Sequence, residues 1–254
     1  MAQTLTRTSF HSSKLIRVLA DLSVLDSVTP GAAFAELVAQ WVDFKHAIGL
    51  SAVHSAPASA TASAASGPAC ASLHDDFAKA RSSMERGIAN AGAPSNGRSR
   101  NPLPTPMPGA SVDEARAYTP YRRYHQAQQR ELEMNVGSLR AKVREGVAKA
   151  APKLEQLVAL DAAFDGILSE REAKLLATLP TLLERRFNHL FKAHAQSLAD
   201  SQQADQPDRW CQRGGWLAGF HNELQAVLLA ELDLRLQPTV GLLEALHNEP
   251  TQQA

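Results

Sequence analysis

The chain has 254 residues, with 26 Lys+Arg balanced by 26 Asp+Glu and 44% hydrophobic residues. That length holds one sizeable core or two small ones, and zero formal charge gives no global attraction to nucleic acid or anionic membrane. Cys70 and Cys211 are the only cysteines and form no CxxC, which excludes a disulfide framework and fits a reducing compartment.

The N-terminus does not read as a signal peptide, because Lys14, Arg17 and Asp21 interrupt its apolar residues. No stretch approaches the ~20 uncharged apolar residues of a membrane span. The expectation is a cytoplasmic protein.

Ser12 or Ser13 can cap a first helix with Leu15, Val18, Leu19 and Leu22 on one stripe. Thr29-Pro30 starts a second, a capping hydroxyl followed by proline. Phe34, Leu37, Val38, Trp41 and Ile48 recur along it at helical spacing, and Gly49 is expected to end it. Residues 1–50 thus read as a helical hairpin. Residues 51–69 are almost all Ala, Ser, Thr, Pro and Gly, a composition expected of a flexible linker. Leu73, Phe77, Met84 and Ile88 predict one helix over about 70–90. Residues 90–110, with five prolines from Pro94 to Pro108, read as a second disordered tether.

The main body is expected from 119 to 248. Thr119-Pro120 is another cap-plus-proline signal. Leu132, Val136, Leu139, Val143 and Val147 follow on one stripe, and Pro152 should kink or restart the helix. Leu154, Leu157, Val158 and Phe164 continue the pattern. Ser169 and Glu172 have capping-box spacing. Leu176, Leu179, Leu183, Phe187 and Leu190 make the next stripe, with a break expected at Pro180. Trp216, Phe220, Leu224, Val227 and Leu228 make the last large one. Leu232, Leu234 and Leu236 alternate, leaving a short strand open, and Pro238 precedes a last short helix from Val240 to Leu246. The fold class is all-α: a multi-helix bundle of long, proline-broken helices with an N-terminal hairpin and disordered linkers. Leu139, Val143, Leu176, Leu183, Phe187, Trp216, Phe220 and Leu224 are its expected core.

No motif carries chemistry. His189 and His194 are five apart and fall on different helix faces. There is no HExxH, no zinc-spaced Cys/His cluster, no Walker A, no GxGxxG and no GxSxG. The expectation is no enzyme, no metal and no cofactor. Arg213-Gly214-Gly215-Trp216 could be read as an RNA-contacting RGG, but a single copy beside an apolar helix is more simply a turn.

Between Thr119 and Lys153 eight Lys/Arg stand against three Glu, and eight minus three gives +5. Arg122, Arg123, Arg140, Lys142, Arg144, Lys149 and Lys153 are therefore candidate phosphate-backbone contacts. A solvated face or pairing within the chain is the simpler alternative. Leu228, Leu229, Leu232, Leu234 and Leu236 span nearly the whole circumference of the last helix. Such a helix is buried on every side, either at the bundle's centre or against a partner chain.

Three segments carry a resemblance: YRRYHQAQQRELEMNVGSLRAKVRE from Tyr121, SEREAKLLATLPTLLERRFNHLF from Ser169, and GGWLAGFHNELQAVLLAELDLRLQPTVGLLEAL from Gly214. Together with the N-terminal hairpin they resemble an uncharacterised proteobacterial domain-of-unknown-function family. Its members are described as the F component of type III Zorya anti-phage defence systems, encoded beside a proton-driven MotA-like and OmpA/MotB-like motor pair and a second uncharacterised protein, the G component. The resemblance implies a non-enzymatic cytosolic accessory or effector subunit. Its implied partners are the G component and the cytosolic part of the motor pair. Self-association and binding of DNA through the basic segment are further expectations.

Overall fold

The computed structural model describes residues 14–22, 44–55, 67–92, 101–202 and 204–248. Eight α-helices and no strand occur among them: α1 Lys14–Asp21, α2 Phe44–Ser55, α3 Gly67–Ala89, α4 Val112–Ala115, α5 Thr119–Ala150, α6 Glu155–Leu176, α7 Leu179–Ser201 and α8 Trp216–Asn248.

The core follows from the helical spacing. Leu132, Val136, Leu139, Val143 and Val147 of α5 are all buried, as are Leu176, Leu183 and Phe187 opposite them. Phe220, Leu224, Val227, Leu228, Leu232 and Leu236 of α8 are almost wholly excluded from solvent. Trp216 is partly buried, with its ring 5.1 Å from that of Phe187. α8 is the central helix. α5 runs parallel to it, since Tyr121 meets Phe220 near both helix starts while Gln129 reaches Glu231 further along both. α3, α6 and α7 run the other way. Arg81 bonds Asp233 while Gln225 bonds the Ile88 carbonyl, and Arg144 bonds Asp161 while Gln129 bonds the Leu176 carbonyl.

Prolines punctuate this arrangement in different ways. Pro152 opens a 3-10 turn that ends α5 and lets α6 begin at Glu155. The break before α7 falls at Ala177 and Thr178, and Pro180 sits in the first turn of α7, where its missing N–H costs nothing. Thr119-Pro120 does open α5, but Thr119 lies inside the helix and Tyr118 is the cap position, with no side-chain cap bond. Pro238 neither ends nor restarts a helix: α8 runs through it to Asn248. The same continuity removes the possible strand at Leu232–Leu236, because burial on every side, not alternation, explains that leucine run.

Other sequence expectations are corrected. α2 does not stop at Gly49 but continues to Ser55; packing against α6 offsets the ~1 kcal/mol that glycine costs in a helix. The expected start at Thr29-Pro30 and residues Phe34 to Trp41 lie outside the described residues. Ser169 does not cap a helix: it lies within α6, its hydroxyl donating to Asp165 at 3.3 Å. The α1 and α2 helices also do not stand apart as a hairpin domain. α1 packs on α8, where Lys14 pairs with Asp233 at 2.6 Å, and its Leu15, Leu19 and Leu22 join the bundle core; α2 packs on α6.

The segment 101–110, expected to be a mobile tether, is packed. Leu103 is buried and its N–H donates to the Ala91 carbonyl at 3.0 Å. Asn101 bonds the Tyr124 carbonyl at 3.3 Å, and the Gly109 N–H bonds Asp208 at 3.4 Å. One leucine and three polar anchors offset the ordering entropy that composition alone does not. Of the other expected tether, residues 51–55 complete α2 and Gly67 opens α3. Residues 56–66 and 93–100 lie outside the described residues.

Candidate functional site

The basic segment of α5 divides into spent and free charge. Arg140 is buried and forks two aspartates of α6: Nη2 and Nε to Asp161 at 2.6 and 3.1 Å, and Nη1 to Asp165 at 2.6 Å. Arg144 holds the same two, Asp161 at 2.7 Å and Asp165 in a short contact. Two guanidinium groups and two carboxylates make a closed, neutral quartet. Burial pushes the Arg144 pKa down, but its bonds to Asp165 and Asp161 outweigh this and raise it. Arg140 and Arg144 are therefore removed from the candidate phosphate contacts: they clamp α5 to α6. Arg122 pairs with Glu184 of α7, and Lys149 pairs with Glu145 at 2.6 Å on the surface. Arg123, Lys142 and Lys153 are exposed.

The leucines proposed as a partner interface are internal. Leu228, Leu232 and Leu236 are buried, and Leu229 and Leu234 are partly buried against the same core. The central-helix alternative accounts for all five.

A feature the sequence reading missed lies among them. Glu231, in the middle of α8, has no exposed side-chain surface, and neither has His125 of α5; His125 Nε2 meets Glu231 Oε1 at 2.7 Å. Gln129 donates to the other carboxylate oxygen at 2.9 Å and also to the Leu176 carbonyl. One turn on, Arg235 pairs with Glu172 of α6 at 2.7 Å. Burial raises the Glu172 pKa above the usual carboxylate value, against the pull of Arg235 and Arg140. This polar seam joins α5, α6 and α8 in one register. Tyr124 Oη, His125 Nδ1 and Thr239 Oγ1 along it are buried without protein partners. A sequence signal existed: Glu231 and Asp233 both lie inside the apolar run from Val227 to Leu236, and a carboxylate buried there must find a partner. His125, sealed from solvent, orients Glu231 and cannot meet a substrate without the helices parting.

At the other end, Trp210 and Trp216 pack at 5.1 Å between Phe191 and His194. Asp205 accepts from Trp210 Nε1 at 2.7 Å and meets His194 at 3.0 Å. The RGGW string is the turn that closes this aromatic end. Gly214 has φ +88, and a Cβ on Gly215 would stand 2.2 Å from the Trp210 carbonyl oxygen. Cys211 beside it is half-buried, and burial pushes its thiol up from the ordinary value. Among the described residues no three His, Cys, Asp or Glu side chains converge as a metal site. No helix among them is long and apolar enough to cross a membrane.

A family model matches residues 1–248, from the first helix through the end of α8. The chain belongs to the family described as "Protein of unknown function (DUF3348)". The match spans every element from α1 to α8, so the DUF3348 unit includes the N-terminal helices and the proline-rich segment as well as the bundle. No curated protein and no solved structure matches the chain.

Proposed function

We propose that this DUF3348 protein is a non-enzymatic cytosolic accessory or effector subunit that acts through protein–protein contacts in a motor-coupled, Zorya-type anti-phage defence system. One observation carries the contact-making part of this reading. Leu157, Phe164, Leu168 and Leu175 recur along α6 at intervals of seven, four and seven, which sets them on one line. Leu157 and Leu175, at its two ends, are 39% and 58% exposed; Phe164 and Leu168 between them are partly covered. A line of large apolar side chains left partly open on a bundle of this size fits a surface that meets another chain. The resemblance of the three long segments to the Zorya F component supports the G component as that chain. The cytosolic part of the motor pair and a second copy are the other candidates.

Co-expression with the G component and size-exclusion chromatography test the reading. A stable complex is expected, lost in Leu157→Asp/Leu175→Asp while circular dichroism stays unchanged, with phage protection lost alongside. A chain that elutes as a monomer beside the G component and the motor's cytosolic part would sink the proposal, as would a double variant that still assembles.

A further inference from the structure

The ion pair Arg122–Glu184 joins α5 to α7. These helices are antiparallel: α5 runs parallel to α8, and α7 runs against α8, since Phe191 packs on Trp216 at the start of α8 while Arg186, earlier on α7, bonds Glu223, later on α8. In an antiparallel pair the residues that follow two facing partners turn to the same flank, because the ~100° step is taken up one helix and down the other. Those residues are Arg123 and Arg185. Seven positions further along each helix stand Arg130 and Lys192, which continue the two lines in opposite directions, each about 10 Å away. The row therefore runs Lys192, Arg185, Arg123, Arg130 along the flank turned away from α8, whose Phe220 packs on the inner side against Tyr121 and Phe187.

All four side chains are exposed, and among the described residues none of them is ion-paired. Glu184 is matched by Arg122; Glu131 and Glu133, exposed beside Arg130, are the other carboxylates near the row. Exposed neighbours on the flank are Gln126, Met134, Thr181, Asn188 and His189; a single methionine among polar residues is not the apolar face that lodges a helix in a bilayer. Three of the four cations are arginines, whose planar forks match phosphate oxygens.

We propose that this flank of α5 and α7 binds the phosphate backbone of a nucleic acid without sequence preference, through Arg123, Arg130, Arg185 and Lys192. The site is separate from the apolar line of α6 and does not depend on it.

The test is fluorescence anisotropy of a labelled mixed-sequence DNA duplex with the full chain, titrated over salt. Four phosphate contacts predict a log–log salt slope of about −3.6, so affinity falls about a hundredfold between about 50 and 200 mM. Arg123→Ala/Arg185→Ala should halve that slope and weaken binding at least tenfold at low salt, with an unchanged melting curve. Lys142→Ala/Lys149→Ala/Lys153→Ala should stay within twofold of the parent. No binding at low salt overturns the proposal, and so does a double variant that keeps the parent's slope. Equal affinity for polyglutamate, or for phosphatidylglycerol vesicles, would assign the flank to an acidic protein or a membrane and overturn it as well.

Discussion

His125 and Glu231 meet at 2.7 Å in a place where neither side chain touches solvent. Two polar groups held there are stable only as a pair, since the desolvation of each is offset by the other and by Gln129. Glu231→Ala should therefore cost about 3–5 kcal/mol, because it strands His125 in the core and takes one of the two acceptors of Gln129. His125→Leu/Glu231→Leu removes both partners and should cost clearly less than either single change. Urea unfolding of the three variants checks this, and a double variant as unstable as the sum of the singles would show that the pair is not a coupled unit.

The Arg140–Arg144–Asp161–Asp165 quartet should behave differently from the surface pairs. Arg140→Met leaves Asp161, at 11% side-chain exposure, with half its partners, and a loss of about 2–3 kcal/mol is expected. Lys149→Ala, which removes an exposed pair, should cost less than about 1 kcal/mol. Thermal melts of both variants in low and high salt give the comparison. The Arg140 effect should persist in high salt, because a closed, mostly buried quartet is poorly screened.

Acid should loosen the fold through His221. Burial pushes its pKa from 6.5 down to about 4, and its hydrogen bond with the Pro104 backbone opposes this only in part. Between pH 6.5 and about 4 the unfolded chain takes up a proton here and the folded chain does not, so stability falls as pH drops through that window. The shift corresponds to about 3 kcal/mol as an upper figure, reduced by residual solvent access. Glu172 acts in the opposite sense: its raised pKa makes the folded chain the better proton acceptor, so its contribution grows on acidification. Comparison of the parent with His221→Gln isolates the histidine. The variant's stability should be flatter from pH 6.5 to 4, and an identical fall in both would remove His221 as the cause.

Much of the bundle was legible because its apolar spacing is local. The stripe from Leu132 to Val147, the restart after Pro152 and the core positions Leu183, Phe187 and Phe220 all follow from residues three and four apart. What was not legible depends on partners distant in sequence. The +5 charge counted over 119–153 includes three arginines, Arg122, Arg140 and Arg144, whose counter-charges, Glu184, Asp161 and Asp165, lie beyond the counted window, so the sum overstated the free charge. Arg185 and Lys192 were missed as surface cations because they join Arg123 and Arg130 only once α7 lies antiparallel to α5. Ser169 and Glu172 have capping-box spacing, yet the helix continues through them; the spacing marks a helix start only where the preceding residues are not already helical. Leu103 anchors a segment whose composition reads as disordered, since one buried leucine contributes little to composition and much to packing.

At Gly214-Gly215 the turn and RNA-contact readings of the RGGW string part. Gly214 holds φ +88 with open space around its Cβ position, so Gly214→Ala meets only backbone strain, about 1 kcal/mol. Gly215 lies so close to Trp210 that a Cβ would stand 2.2 Å from the carbonyl oxygen and 2.8 Å from that of Arg209. Both are backbone atoms and cannot rotate away. The same Trp210 carbonyl accepts from the Ala218 N–H at 3.1 Å, tying the turn to the first residues of α8. Gly215→Ala must therefore open the turn, pull Trp210 from Trp216 and cost about 2 kcal/mol or more. Tryptophan fluorescence should shift to the red in that variant and stay unchanged in Gly214→Ala. Arg213→Ala should leave both stability and fluorescence as they are, because Arg213 is exposed and its neighbours set the turn. A Gly215→Ala protein with parental melting and fluorescence would mean that the close approach to Trp210 does not constrain the turn.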